Sequence, residues 1–183
     1  MIFNDHSYLA GSHAAFSCSQ PSWVNYDDSR LLEVYANKHA SEYGTRLHEW
    51  AAETIKLGIR QPKSRTTLAM YVNDAITFKM EPEVVLYYSN YFYGTTDAIS
   101  FRNDFLRIHD LKTGVTKPHH EQLELYAALF CLEYKKDPYA LKGIECRLYQ
   151  CNDIDIWEPE PGQIKEFMDL IVHFNKVLID NQE

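Results

Sequence analysis

The sequence has no CxxC pair, no long apolar run, no basic excess and no internal repeat, and each absence closes a class of function. Its four cysteines, Cys18, Cys131, Cys146 and Cys151, are scattered along the chain. Zinc ribbons are built on two CxxC pairs, so structural zinc is not expected and the thiols read as free. No apolar stretch approaches the roughly 20 residues of a membrane span. The opening "MIFNDHSYLAGSHAAF" lacks a basic leader followed by an apolar segment, so no signal peptide is expected. The expected location is the cytoplasm of a cell or of an infected host. Net charge is −8, from 18 basic and 26 acidic side chains. Proteins that grip long duplex DNA through its phosphates tend to be basic, so any nucleic-acid role must rest on a local site.

What is present fits one domain. The 183 residues are 45% hydrophobic and 24% charged, ordinary for a globular chain long enough to bury a core. Residues 1–28, rich in Ser, Asn, His and Asp, read as an irregular lead-in. Helical periodicity runs from Ser29 to Gly58 in two pieces meeting near Gly44, with Gly58 as C-terminal cap. A second helix is expected from Ser64 to Met80, closed by Glu81-Pro82. The period then shortens to that of strands. "VVLYYSNYFYGTTDAISFRNDFLRIHDLK" reads as a three-stranded antiparallel meander broken at Ser89-Asn90 and Asn103-Asp104, its tyrosines read as strand packing, with stacking on unpaired bases the alternative. A helix after Pro118, a strand "IECRLYQC" and a last amphipathic helix "PGQIKEFMDLIVHFNKVLI" complete the order. The fold class is α/β of the α+β type: a central mixed sheet with an antiparallel meander, flanked by helices.

One hairpin carries chemistry. If Asn103-Asp104 is a two-residue turn, facing residues have numbers summing to 207, so Ile99 meets Ile108 and Asp97 meets Asp110. Strand alternation puts Asp97, Ile99, Phe101, Leu106, Ile108, Asp110 and Lys112 on one face. Two carboxylates about 5 Å apart at Cα then end an apolar strip. Opposed like charges are destabilising, and a divalent cation is the simplest compensation. The alternative is a surface hairpin with both aspartates in water, which requires Ile99 and Ile108 to be exposed. The other face, with Ser100, Arg102, Arg107 and His109, reads as the solvent side.

With these residues in hand, the chain resembles the PD-(D/E)XK nucleases, and among them the RecB-like branch. "GTRLHEWAAE" is similar to that branch's G-x-x-x-H helix, "YGTTDAI" to its G-x-x-D strand, "HDLKTG" to its D-x-K-T-G strand and "QLELYAALF" to its Q-x-x-x-Y helix. The four motifs span residues 44–130 in the family's order. The length is similar to phage and prophage exonucleases of the branch. The resemblance implies a restriction-endonuclease-like core and a magnesium- or manganese-dependent deoxyribonuclease, an exonuclease meeting DNA at ends or single-stranded regions, acting in recombination, repair or phage replication. It implies that Asp97, Asp110, His48 and the backbone carbonyl of Leu111 hold the metal. It gives Lys112 the task of orienting the attacking water and stabilising phosphoryl charge, with Gln122 and Tyr126 supporting the site or touching DNA.

Elementary chemistry agrees with most of this assignment. Phosphodiester hydrolysis needs a nucleophile made from water and relief for charge growing on the phosphate oxygens, tasks suited to a hard cation and a neighbouring lysine. Gln122 and Tyr126, four apart, share a helix face. Some branch members hold an iron–sulfur cluster, but here Cys131 lies in a helical pattern, while Cys146 and Cys151 would point to opposite faces of a strand, so no cluster is expected. The other expectation is a nuclease-fold protein that binds DNA, or a recombination partner protein, without cutting.

Overall fold

Asn103 and Asp104 both take positive φ, 53° and 62°. Among two-residue hairpin turns, type I′ requires this of both central residues, and Asn and Asp tolerate it better than most. The computed structural model describes Phe16, residues 21–115 and residues 119–181. In it this turn joins β2 (Phe92–Arg102) to β3 (Phe105–Leu111), with Ala98 opposite His109, Ile99 opposite Ile108 and Phe101 opposite Leu106. That is the register the turn spacing predicts.

Among the described residues the sheet has five strands, each paired with the next in chain order. β1 (Glu81–Ser89) pairs antiparallel with β2 and forms one edge. Pro82 therefore sits inside a strand rather than closing a helix, which an edge strand permits because proline has no ladder N–H to give. β4 (Gly143–Gln150) runs parallel to β3, and the connection between them carries α3 (Glu121–Glu133). The sheet is thus mixed, and its other edge is a strand the sequence pattern did not reveal, β5 (Asp153–Trp157), antiparallel to β4. The expected strand through Cys151 stops at Gln150, because Cys151 and Asn152 turn the chain with φ of 50° and 61°.

The helices differ from expectation at their ends. α1 is a single helix, Asp28–Lys56, with Gly44 inside it and not at a break. An internal glycine costs about 1 kcal/mol relative to alanine, too little to interrupt a helix the surroundings support. Gly58, with φ of 66°, ends the segment as expected. α2 covers Thr67–Thr77, shorter than expected at both ends. α4 (Pro161–Asp180) closes the described chain, with Pro161 in its first turn.

Two compact units divide the chain, Met1–Thr45 and Arg46–Glu183. Of the expected lead-in, residues 1–15 and 17–20 lie outside the described residues, as does Cys18; Pro21–Asn25 forms a 3-10 turn leading to α1. The second unit holds the whole sheet, and helices cover both faces. On one face Ile99, Leu106 and Ile108 pack against Leu123, Ala127 and Ala128 of α3 and Ile164 and Ile171 of α4. On the other, Ala98, Leu111 and Tyr149 pack against Ala51 and Ile55 of α1 and Tyr71, Val72 and Ala75 of α2. Cys131 and Cys146 are buried and Cys151 is exposed. Among the described residues no helix is long and apolar enough to cross a membrane.

Candidate metal and catalytic site

Ile99 and Ile108 are 6% and 1% exposed. The surface-hairpin alternative required them to face water, so the face that ends in Asp97, Asp110 and Lys112 is a core face. The expectation that the opposite face meets solvent holds for Arg102, which is exposed, and is corrected for Ser100 and His109. His109 is fully buried there and Ser100 nearly so, because α2 and its C-terminal flank cover them. Their polar neighbours are internally paired. Glu145 accepts from Arg107 and Arg147, while Asp74 accepts from Arg147 and from the Tyr149 hydroxyl, itself 3.3 Å from His109 Nδ1.

Asp97 and Asp110 lie one step beyond the last ladder pair, Ala98 and His109. Asp97 Oδ2 accepts the Leu111 amide N–H at 2.7 Å, so one carboxylate ties the end of β3 to β2. Leu111 contributes that amide, and its side chain is core. Asp97 Oδ1 lies 3.3 Å from His48 Nδ1 on α1. That contact, opposed by burial, raises the His48 imidazole above its ordinary value. Asp110 is 3% exposed. Burial first, then the charge of Asp97, push its carboxyl up, against the pull of Lys112.

Lys112 answers part of this negative charge. Its Nζ lies 2.9 Å from Asp110 Oδ2 and donates at 3.2 Å to Oδ1. It also donates at 2.9 Å to Gln122 Oε1, and Gln122 Nε2 donates at 3.3 Å to Asp110 Oδ1. Gln122, from α3, thus clamps the lysine and the aspartate together. Tyr126, one helical turn on, is half-buried, and its hydroxyl is pushed up by that burial. Its ring lies against Gly94 so closely that a Cβ there would come within 2.9 Å of Tyr126 Cε1. Glycine at position 94 is what lets the ring lie on β2.

Glu83 is the residue sequence reasoning missed. One ligand atom from each of His48, Glu83 and Asp97 falls within 4.8 Å of the others, and Asp110 lies outside this tight set. Glu83 also takes φ of 55°, a conformation costing a non-glycine residue roughly 1–2 kcal/mol. Glu83 is exposed overall, yet partial desolvation of its carboxyl and the charge of Asp97 raise it. Read as the residue after a helix-closing Glu-Pro pair, it carried no signal.

The donor set tests whether a divalent cation fits. Two carboxylates and an imidazole converge, with Asp110 beside them; the carboxylates suit magnesium or manganese, while the imidazole is a softer donor than magnesium prefers. Among the described residues Asp110 Oδ2 is buried and accepts no hydrogen bond, although the Lys112 ammonium lies 2.9 Å from it. Buried carboxylate oxygens are normally satisfied, so a nearby charge suits this one. The cysteines present no comparable arrangement among the described residues, since Cys131 and Cys146 are core and Cys151 sits on a turn.

Elsewhere, the tyrosines expected to pack within the meander divide. Tyr88 packs on the core, whereas Tyr87, Tyr91 and Tyr93 are exposed. Compared with known protein families, curated proteins and solved structures, the chain matches none.

Proposed function

We propose that this protein is a magnesium- or manganese-dependent deoxyribonuclease with a restriction-endonuclease-like core, acting on DNA ends in recombination, repair or phage replication. The observation that carries the reading is the buried end of the β2–β3 hairpin. There Asp97 and Asp110 face a core side, Lys112 is held by Gln122, and one oxygen of Asp110 meets only the Lys112 ammonium and accepts no hydrogen bond among the described residues. A purely structural ion pair needs neither the second aspartate nor the strained Glu83 beside it.

In this reading His48, Glu83, Asp97 and Asp110 would hold the cation. The bound cation supplies Lewis acidity to water and to the phosphate. The chain's own residues do the rest. Lys112 places a compact positive charge where a phosphoryl oxygen gains negative charge, and its link to Gln122 sets its direction before substrate arrives. Asp97 keeps β2 and β3 in register at the site by holding the Leu111 amide. Hydrolysis joins the water oxygen to phosphorus and releases a sugar oxygen, which takes up a proton. A site touching few phosphates also suits a chain of net charge −8.

The test is degradation of end-labelled linear DNA in Mg²⁺, Mn²⁺ or EDTA, beside circular single-stranded and duplex DNA. Cutting of linear DNA that needs the metal and fails in Lys112→Ala is expected, with circles spared. Cutting of circles makes it an endonuclease. No cutting with either metal, by a chain that still binds DNA, replaces the enzyme with a binding protein.

A further inference from the structure

Gln122 borders two places. It bonds Lys112 and Asp110, and it also lines a cavity of about 420 Å³ framed by the β1–β2 turn, α3 and α4. Tyr91 and Tyr93 come from the strand end, Tyr126 from α3, and Leu170 and Phe174 from α4. None of the lining residues is charged, in a chain whose net charge is −8. The size lies within the roughly 300–1,000 Å³ of small-ligand sites. Aromatic walls with a few amide and hydroxyl groups match a flat heterocycle with a polar edge.

We propose that this cavity seats an unpaired nucleobase of the strand whose backbone lies at Lys112, so that single-stranded DNA ends are the substrate class. The proposal rests on the nuclease reading for its chemistry. Continuity carries it: a strand with its phosphate at Lys112 would have a base within reach of Gln122, and Gln122 opens onto the aromatic walls. A paired base is stacked inside its duplex and cannot enter, so the cavity discriminates against duplex without reading sequence. Base stacking also supplies affinity that an acidic protein cannot draw from phosphate contacts. Gly94 belongs to the design, since a side chain there would displace Tyr126 from the wall.

The experiment is anisotropy of labelled oligo(dT), of an abasic backbone of the same length and of duplex, in EDTA so that nothing is cut. The native chain should prefer oligo(dT) to both. Tyr93→Ala and Phe174→Ala should each weaken oligo(dT) binding by roughly 10- to 100-fold, leave abasic binding alone and keep the native melting temperature. Tyr93→Phe should restore binding. Equal binding of oligo(dT) and the abasic strand, or native binding by both folded alanine variants, overturns the proposal. Cleavage is read separately in Mn²⁺. Base-dependent binding without cleavage would sink the nuclease reading and leave the base pocket standing, and cleavage of single strands unaffected in both variants does the reverse.

Discussion

The two faces of the β2–β3 hairpin come from alternate residues of the same strands and are both covered by helices, yet they treat charge in opposite ways. On the His109 face, two guanidiniums, Arg107 and Arg147, meet two carboxylates, Glu145 and Asp74. The Arg107 guanidinium also lies over the rings of Phe78 and Phe105, and that of Arg147 over Phe78. On the Asp110 face, Glu83, Asp97 and Asp110 face one ammonium, Lys112, with the His48 imidazole beside Asp97. On the balanced face each of these charges has its partner, although His109 Nε2 is buried there without a hydrogen bond among the described residues. An unbalanced face stores repulsion, which a protein keeps where a ligand relieves it.

The sharpest way to break the comparison is to remove charge from the unbalanced face. Asp110→Asn should lower metal-dependent cleavage by about 10²- to 10³-fold, on the scale of losing a principal charge-stabilising group. It should leave the thermal melting midpoint at or above the native one, since a buried carboxyl raised by desolvation and Asp97 is gone. Kinetics and melting of one preparation decide it; a midpoint that falls with the activity would make Asp110 a structural ion-pair partner.

Next in size is the apolar strip that carries the site. Leu106, fully buried against α3, should cost about 2–5 kcal/mol on replacement by alanine. Cleavage per folded molecule should survive. Urea unfolding with activity measured below the transition checks both, and a loss of activity without loss of stability would place Leu106 in the site's mechanics.

The balanced face makes a pH prediction. Burial, then Arg147 and Arg107, push the His109 imidazole down to about 3 from 6.5. Between those values the unfolded chain binds a proton that the folded chain refuses, so stability rises with pH across the window. One such group contributes a slope of about 1.4 kcal/mol per pH unit, and acid weakens the fold from pH 6.5 downward. The Tyr149 hydroxyl, Arg107, Arg147, Asp74 and Glu145 are the groups facing or flanking the ring from β3, β4 and α2. His109→Phe should flatten this slope, read as urea midpoints at pH 7 and 5. Parallel slopes in the two proteins would mean that His109 does not set it.

What could be read in advance follows from the range of the forces involved. The hairpin register was legible because a two-residue turn and a period of two leave a single pairing. That register alone placed Asp97, Asp110 and Lys112 together, and helical spacing put Gln122 and Tyr126 on one face. The sealed face was misread because arginine and histidine usually face water. Their partners here lie on β4, 38 residues away in sequence for Arg107 and Glu145 and 40 for His109 and Tyr149. β5 was invisible for a similar reason: "DIDIW" alternates but is short, and only pairing with β4 makes it a strand. The tyrosines stayed ambiguous because β propensity favours tyrosine whether or not it packs, so the sequence left both packing and base stacking open.

Glu83 gives the smallest effect and the finest test. Its positive φ penalises any side chain, so Glu83→Gly should relieve strain. Glycine also gives the unfolded chain more freedom, so the net gain should be only about 0.5–1 kcal/mol. The same change removes a carboxylate from the group formed with His48 and Asp97, and should weaken Mn²⁺ binding by roughly tenfold or more. Glu83→Gln keeps the strain and loses the charge, so it should match glycine in metal affinity without the added stability. Calorimetric titration with Mn²⁺ and urea unfolding of the three proteins separate the two contributions. If Glu83→Gly gains stability and binds Mn²⁺ as tightly as the native chain, the strained backbone serves the β1 edge and not the cation. If affinity falls in both variants while stability rises only in one, the unbalanced face is held out of its own stability optimum by a residue whose use is to bind.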